Sequence, residues 1–547
     1  MGNPRTAPQT EQDCIVYTTV NELIAKETRR FNGLTGRLEN FLFSPILFRI
    51  AFVLVIALYV ASTVRQASRH LWHDELYTYY IAGMPSMPQF WDALKLDLNP
   101  PLSYLAVRGS MKLFGDSSYA VRLPSMIAFL VGALSLYRFI SFRTSRAFGL
   151  LGMLVFLCSP YLSLATEARP YALVTAFLGL ALVAWQRTLE HVNTRWAIAL
   201  LFLCLCGMML SHLFGVFYAC PFLAAEFVTW ARTRKRRLGV WAALLIPYAI
   251  PAVYLSKAKG YQASSIPQAF QASIHKILAF YAESIDKESS ALLFACLAGM
   301  LIVLWFKRPA RPVLPFSFPE KVFALTLLLL PVYENLVLMR SHSGFFSRYA
   351  LPTIFTYSIF FVVAMVRSSL GNKTAALAAS CVLLLSLFQT HLLDAVWGLK
   401  YGHNFFVIPL LTSDPCADMK PELPLVAASG LTFLEMDRYA SAGTKSRLYY
   451  LTDRKLAVQY AGATIFEGLP DAKKKFPIRG NVEPYVQFVK DHPHFLVLGT
   501  PSYPEDWLIR QLLAIGSHLR FLGMVPNDYK DWHVFEVTMP DAAAKGI

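Results

Sequence analysis

PILFRIAFVLVIALYVASTVRQASRHLWHDELYTYY, residues 45–80, runs from a long apolar stretch straight into His73, Asp74 and Glu75. An apolar run of about 20 residues matches the hydrocarbon thickness of a bilayer. A charge inside that layer costs roughly 2.5–3.5 kcal/mol on insertion scales, so two adjacent carboxylates a few residues past the run point to function. Whether they lie in the hydrocarbon or beside it depends on the topology of the rest of the chain.

The composition places the chain in the membrane class: of 547 residues, 55% are hydrophobic, 14% aromatic and only 16% charged. No single soluble core has that balance. Windows near the spanning length fall at 46–64, 121–140, 148–165, 170–187, 196–211, 213–231, 239–256, 289–306, 321–339, 350–366 and 374–392. They predict about eleven spans.

The net charge of +16 could suit nucleic acid, but its distribution argues against that partner. Lys and Arg gather between alternate spans: Arg29, Arg30 and Arg37; Arg138, Arg143 and Arg146; Arg187 and Arg195; RTRKRR at 232–237; Lys307, Arg308 and Arg311; Arg367 and Lys373. Such loops face the cytoplasm. The N-terminus is therefore expected inside. His73-Asp74-Glu75, Glu167, the loop 257–271, Arg348 and everything after about residue 395 then share the exoplasmic face. Residues 1–45 carry no short apolar core with a cleavage site, so the first span is expected to act as an uncleaved anchor.

Three regions follow: a cytoplasmic segment over 1–45, a transmembrane domain over 46–392 and an exoplasmic α/β domain over 393–547. Residues 85–119 and 257–288 are too polar to span and read as surface helices and a loop. Beyond the last span, LPLVAAS at 423, SRLYYLT at 446, HFLVLGT at 494, LRFLGMV at 519 and WHVFEVT at 532 read as strands between helices near 431–439, 483–490 and 505–516. Neither GxGxxG nor a P-loop occurs there, so nucleotide binding has little support. Six of the eight cysteines, Cys158, Cys204, Cys206, Cys220, Cys296 and Cys381, fall in apolar runs or at their ends and read as packing residues. Cys14 and Cys416 fall on opposite sides, which leaves no exported pair.

Four motifs mark the exoplasmic face: HDELYTYY at 73–80, DLNPPLSYLAVRGSMKLFGDSSYAVRLPS at 97–125, ATEARPYAL at 165–173 and SGFFSRYALP at 343–352. In layout and in these motifs the chain resembles the GT-C superfamily of polytopic glycosyltransferases, in particular the protein O-mannosyltransferase and lipid A aminoarabinose transferase group. The elements that carry the resemblance are Asp74-Glu75, the Asn99-Pro100-Pro101-Leu102 segment and Leu113 to Ser125. The likeness covers roughly 45–390 in layout, with its specific motifs in the first third.

That resemblance implies transfer of a sugar from a polyprenyl-phosphate donor to an exoplasmic acceptor (lipid, glycan or protein) by inverting displacement, in a bacterial inner membrane. It implies Asp74 as general base, with Glu75 and Glu167 as further acids, and Arg348 with Tyr349 near the leaving phosphate. Arginine suits that place because its planar fork stays charged and meets phosphate bidentately. Arg169 either joins it or pairs with Glu167; His342, Lys257 and Arg340 are supporting cations. His73, Asn99 and Tyr171 are expected to support the acceptor or the span, and each also reads as an ordinary loop or interfacial residue.

His212 reads first as a packing histidine; a divalent ion is conceivable there because some relatives bind one. Asn99 replaces the acid that the aminoarabinose transferase branch carries before its paired prolines, which favours a mechanism requiring no cofactor; Asp97 is the nearest substitute acid. A transporter or lipid flippase is the other class with ionisable residues in a helix bundle. Glu334, inside a predicted span, is its main support, with Asn335 beside it as an expected hydrogen-bond partner.

Overall fold

The computed structural model describes residues 44–97, 99–192, 194–257, 271–283, 315–341, 343–407, 414, 416–462, 465–503, 505–525 and 531–540. Five helices are long and apolar enough to cross a membrane: Pro45–Ala67, Ser118–Arg143, Tyr171–Leu189, Thr194–Ser211 and Lys373–His391. Two bent pairs, Arg146–Leu157 with Pro160–Thr166 (78°) and Phe318–Leu328 with Leu330–Arg340 (44°), bring the count among the described residues to seven if each is one span. The chain is a multi-pass membrane protein.

Each predicted window that lies in the described residues is mostly helical, but three of them are bent or split, and proline is the main reason. Pro160 and Pro331 open the second members of the bent pairs, and Pro247 lies in the 3₁₀ turn Ile246–Tyr248 that splits the run after Leu238. A ring nitrogen that cannot donate breaks the i to i−4 ladder. Thr353–Ser368 is a shorter apolar helix of 16 residues, and the window 289–306 lies outside the described residues.

The helix ends around His73–Ala82 are locally specified. The Ser44 hydroxyl accepts from the Leu47 N–H with Pro45 at the first helical position, a standard start for the first span. His73–Ala82 is a separate ten-residue helix with Asp74 and Glu75 in its first turn, where the helix dipole favours negative charge. Gly115, at φ 85°, ends Leu102–Phe114, and the Ser117 hydroxyl caps the next span by accepting from Ala120 N. The opposite ends are clamped by charge: Arg143 meets buried Glu320 at 2.9 Å and Glu190 at 2.6 Å, and Arg237 pairs with buried Glu226.

The C-terminal region forms one six-stranded sheet: β1 (Leu425–Ala427), β2 (Leu448–Thr452), β3 (Asn481–Pro484), β4 (His494–Gly499), β5 (His518–Val525) and β6 (Trp532–Thr538), ordered β3-β2-β1-β4-β6-β5. The strands β3, β2, β1 and β4 pair in parallel, and β6 and β5 add antiparallel. The five strands expected from sequence all form. Edge strand β3 was not expected, because Asn-Val-Glu-Pro has neither an apolar run nor alternation.

This domain rests on the HDE helix, His73–Ala82. The Leu71 N–H donates to the Tyr439 hydroxyl at 2.7 Å, His70 stacks on Tyr439 at 4.0 Å, and Phe466 meets the His73 ring at 5.6 Å. Farther along the helix, Tyr77 and Tyr80 meet Phe476 at 5.6 and 5.2 Å. A cleft of about 650 Å³ opens beyond that contact, lined by Tyr79, Tyr80, Pro85, Asp92, Lys475 and Phe476 among others.

Candidate active site

Asp74 is the centre of a half-enclosed ionic cluster. Its Oδ2 lies 3.2 Å from Arg348 Nη2 and 3.8 Å from Arg169 Nε, its Oδ1 lies 3.2 Å from His73 Nε2, and its backbone carbonyl accepts from Arg169 Nη1 at 3.2 Å. Burial alone would raise this carboxyl, but Arg169, His73 and Arg348 override it and hold it at about 2. Asp74 is therefore ionised at any working pH.

Arg169 also reaches Asp97 Oδ2 at 3.8 Å. Asp97 is held by the Tyr104 hydroxyl at 2.6 Å and by the Asn99 side-chain amide at 2.9 Å, and the Asn99 carbonyl accepts from the Tyr254 hydroxyl at 2.9 Å. The position where Asn replaces an acid thus supports a neighbouring acid. Arg348 is packed by rings, its guanidinium carbon 4.8 Å from the Phe346 centroid, 5.7 Å from Trp72 and 5.8 Å from Tyr171.

Glu167 follows the 3₁₀ turn Pro160–Thr166, and its buried Oε2 makes no hydrogen bond. Burial first, then Glu75 and Asp74, push its carboxyl up to about 7 against the pull of Arg348 and Arg169. Arg169 is not its ion-pair partner, since that side chain is committed to Asp74 and Asp97. Asp74 and Glu167, two carboxyls that feel each other's charge, are driven apart in acidity, the pattern that separates proton acceptors of different strength.

Glu75, expected to act with Asp74 on the acceptor, has a different place. It is fully buried; its Oε1 accepts from Arg122 Nε and Ala168 N, both at 2.8 Å, and its Oε2 accepts from Arg122 Nη2 at 2.5 Å and Trp72 N at 3.2 Å. With all of these donors engaged it ties the HDE helix to the ATEAR turn that carries Glu167 and Arg169. Arg122 was visible in VRLPS as a cation near the start of a span, but its role was not. Its remaining N–H groups donate to the Ala67, Arg69 and His70 carbonyls at 3.0, 2.7 and 2.8 Å.

The other predicted residues divide. Tyr171 and Tyr349 line the cluster with ring centroids 6.1 Å apart, and the Tyr349 carbonyl accepts from the Tyr218 hydroxyl at 2.6 Å. His212 packs 5.7 Å from each of those rings. Arg340 is exposed at a helix end, His342 lies outside the described residues, and so does the side chain of Lys257. Glu334 and Asn335 are both fully buried, and none of their four side-chain oxygen and nitrogen atoms has a hydrogen-bond partner, so Asn335 does not satisfy Glu334 as expected. Adjacent residues on a helix point about 100° apart, which keeps them from each other.

The residues present do not fit a divalent ion at His212. Its Nδ1 already accepts from Phe214 N at 3.1 Å, and among the described residues no group of three or more His, Cys, Asp or Glu side chains is placed to hold a metal.

Residues 98–255 match the family model for dolichyl-phosphate-mannose-protein mannosyltransferase. No curated protein matches the sequence. Among solved structures, ArnT from Cupriavidus metallidurans in the apo state superposes with a TM-score of 0.53 at 14% identity, covering 89% of this chain and 97% of ArnT. The same ArnT bound to undecaprenyl phosphate gives 0.51 at 13% identity with the same coverage. At that identity the likeness is one of fold: the chain has the GT-C architecture with a C-terminal α/β domain, and resembles the O-mannosyltransferase and ArnT glycosyltransferases.

Proposed function

We propose that the chain is an inner-membrane glycosyltransferase that moves one sugar from a polyprenyl-phosphate carrier to an acceptor on the exoplasmic face, with inversion and with Asp74 as general base. The observation that carries this reading is the ionised Asp74 set against Arg169 and the ring-packed Arg348, with a second, weaker acid beside it. The fold likeness, the family-model match over 98–255 and the undecaprenyl phosphate bound to ArnT support it. On this reading the N-terminus is cytoplasmic, the transmembrane domain runs over 46–392 and the domain from 393 onward is periplasmic.

The chemistry follows from charge. A lipid phosphate entering the cluster competes with Asp74 for Arg169 and Arg348, and as their hold loosens the Asp74 carboxylate becomes a better base. The acceptor hydroxyl oxygen forms the bond to the anomeric carbon, the bond from that carbon to the phosphate oxygen breaks, and the hydroxyl proton passes to Asp74. The arginines compensate the charge gathering on the departing phosphate. Glu167, with its carboxyl near 7, then takes the proton towards solvent.

A pH prediction comes from that last step. Glu167 accepts a proton only as carboxylate, so kcat/KM rises with pH through about 7. In Glu167→Gln that rise is absent and the rate at pH 8 falls about tenfold or more. Initial rates from pH 5.5 to 8.5 check it, and an unchanged inflection in Glu167→Gln would assign the proton elsewhere. The whole reading is tested by mass spectrometry of lipid-linked sugars and glycans in cells with and without the protein. Loss of one glycosylated product with build-up of its sugar-phosphate lipid is expected, and unchanged profiles would overturn it.

One observation favours a transporter or flippase: Glu334, buried in a bent span with both oxygens unpartnered. The motifs and the arginine cluster lie at span ends instead, where transfer at the membrane surface needs them.

A further inference from the structure

His212 stands in the turn between Thr194–Ser211 and Gly215–Thr233, and its two ring nitrogens are not equivalent. The Phe214 N–H donates to Nδ1 at 3.1 Å, and a backbone donor can bond only to a ring nitrogen without a proton. In the neutral ring the proton is therefore on Nε2. Burial, and then the charges of Arg169 and Arg348, lower the imidazole to about 3, so the ring stays neutral through any working pH.

The ring's surroundings are those of the cluster. Tyr171 and Tyr349 flank it at 5.7 Å each, and the Tyr171 ring lies 5.8 Å from the Arg348 guanidinium. Phe214 closes another side at 5.0 Å. With Nδ1 occupied, the Nε2–H edge is the only polar edge left, and it makes no hydrogen bond to any described residue. Nearby, Arg169 Nε, Arg348 Nε and Glu167 Oε2 are also buried without hydrogen-bond partners. Two cations with unpaired N–H groups and a neutral donor packed against the same tyrosine ring suit an anion with several oxygens.

We infer that His212 donates its Nε2–H to a phosphate oxygen of the lipid carrier, as a neutral donor beside the two charged arginines. The inference rests on the glycosyltransferase reading above. Neutrality has a chemical use: a hydrogen bond that strengthens as charge gathers on the departing phosphate helps its departure without adding a third full charge to hold the product. The same tautomer disfavours metal ligation through Nε2, and the lowered basicity disfavours proton transfer by this ring. His212 therefore differs in role from Asp74 and Glu167.

The test uses the full-length protein in detergent with undecaprenyl phosphate as probe and undecaprenol as the uncharged control, read by tryptophan fluorescence between pH 5.5 and 8.5. Wild type is expected to bind the phosphate and not the alcohol; failure to prefer the phosphate overturns the donor reading and this inference with it. Given that preference, His212→Gln, whose amide N–H falls near the Nε2 position, should bind within about threefold of wild type. His212→Phe, which keeps the ring and loses the donor, should bind about tenfold or more weakly. Of the groups around the ring, Asp74 stays ionised and Tyr171 and Tyr349 stay protonated across this window, so the pH dependence, which reflects Glu167 and the phosphate itself, should keep the same shape in all three proteins. Equal binding by Phe and wild type overturns the inference, as does equal weakness of Gln and Phe in proteins with wild-type melting temperatures. A binding limb near pH 6–7 that is lost in His212→Phe would show a titrating histidine, and binding lost to EDTA and restored by zinc would show a metal ligand; either result also overturns it.

Discussion

Asp74→Asn is expected to lower sugar transfer by about 10²- to 10⁴-fold, the range associated with a lost general base, while leaving the protein folded. Asparagine matches aspartate in shape, and the HDE helix is held by Glu75 rather than by Asp74. The substitution also frees Arg348 and Arg169 from the carboxylate they now face at 3.2 and 3.8 Å. Undecaprenyl phosphate should therefore bind Asp74→Asn at least as tightly as wild type. A fall in turnover with affinity kept or improved is the signature of a group that acts on the acceptor rather than on the donor. Activity within a few-fold of wild type would remove Asp74 from the chemistry, and a parallel loss of binding would make it a structural element of the donor site.

The second large effect concerns stability. Arg122 and Glu75 form a pair whose side chains are 2% and 0% exposed. Removing one partner of such a pair leaves a buried charge uncompensated, at a cost of about 3–5 kcal/mol. Arg122→Ala should thus unfold at a much lower temperature than wild type in detergent and be cleaved readily by protease. It also abandons the carbonyls of Ala67, Arg69 and His70, which join the first span to the HDE helix. The double variant Glu75→Gln with Arg122→Met should be more stable than Arg122→Ala alone, because it removes both charges. It should still be inactive, since Ala168 N and the ATEAR turn lose the carboxylate that registers them to Asp74. Wild-type stability in Arg122→Ala would contradict the positioning role given to Glu75.

Much of the architecture was legible in sequence because its causes are local. Apolar length predicts membrane segments, and short apolar runs broken by Gly, Pro and Ser predict the sheet. What bends the spans is local too: Pro160, Pro247 and Pro331 sit within apolar runs, where hydropathy sums do not register a missing N–H donor. Among site residues, Asp74, Glu167, Arg169 and Arg348 fall in one cluster, as the positive-inside pattern and the motifs suggested. The roles of Glu75 and Arg122 were not legible, because two adjacent carboxylates look alike until a partner 47 residues away claims one of them. The docking of Tyr439, Phe466 and Phe476 on the HDE helix was likewise beyond one sequence, since it joins segments more than 350 residues apart. Tautomer and neutrality at His212 depend on a single backbone N–H two residues on, which only coordinates supply.

Transfer and transport are told apart in proteoliposomes loaded with a polyprenyl-phosphate sugar labelled in the sugar, with candidate exoplasmic acceptors on the outside. Label is expected to appear covalently in the acceptor, one sugar for each polyprenyl phosphate released, and Asp74→Asn is expected to stop both together. Label that moves across the bilayer while still attached to its carrier, with no acceptor modified and no effect of Asp74→Asn, would contradict transfer.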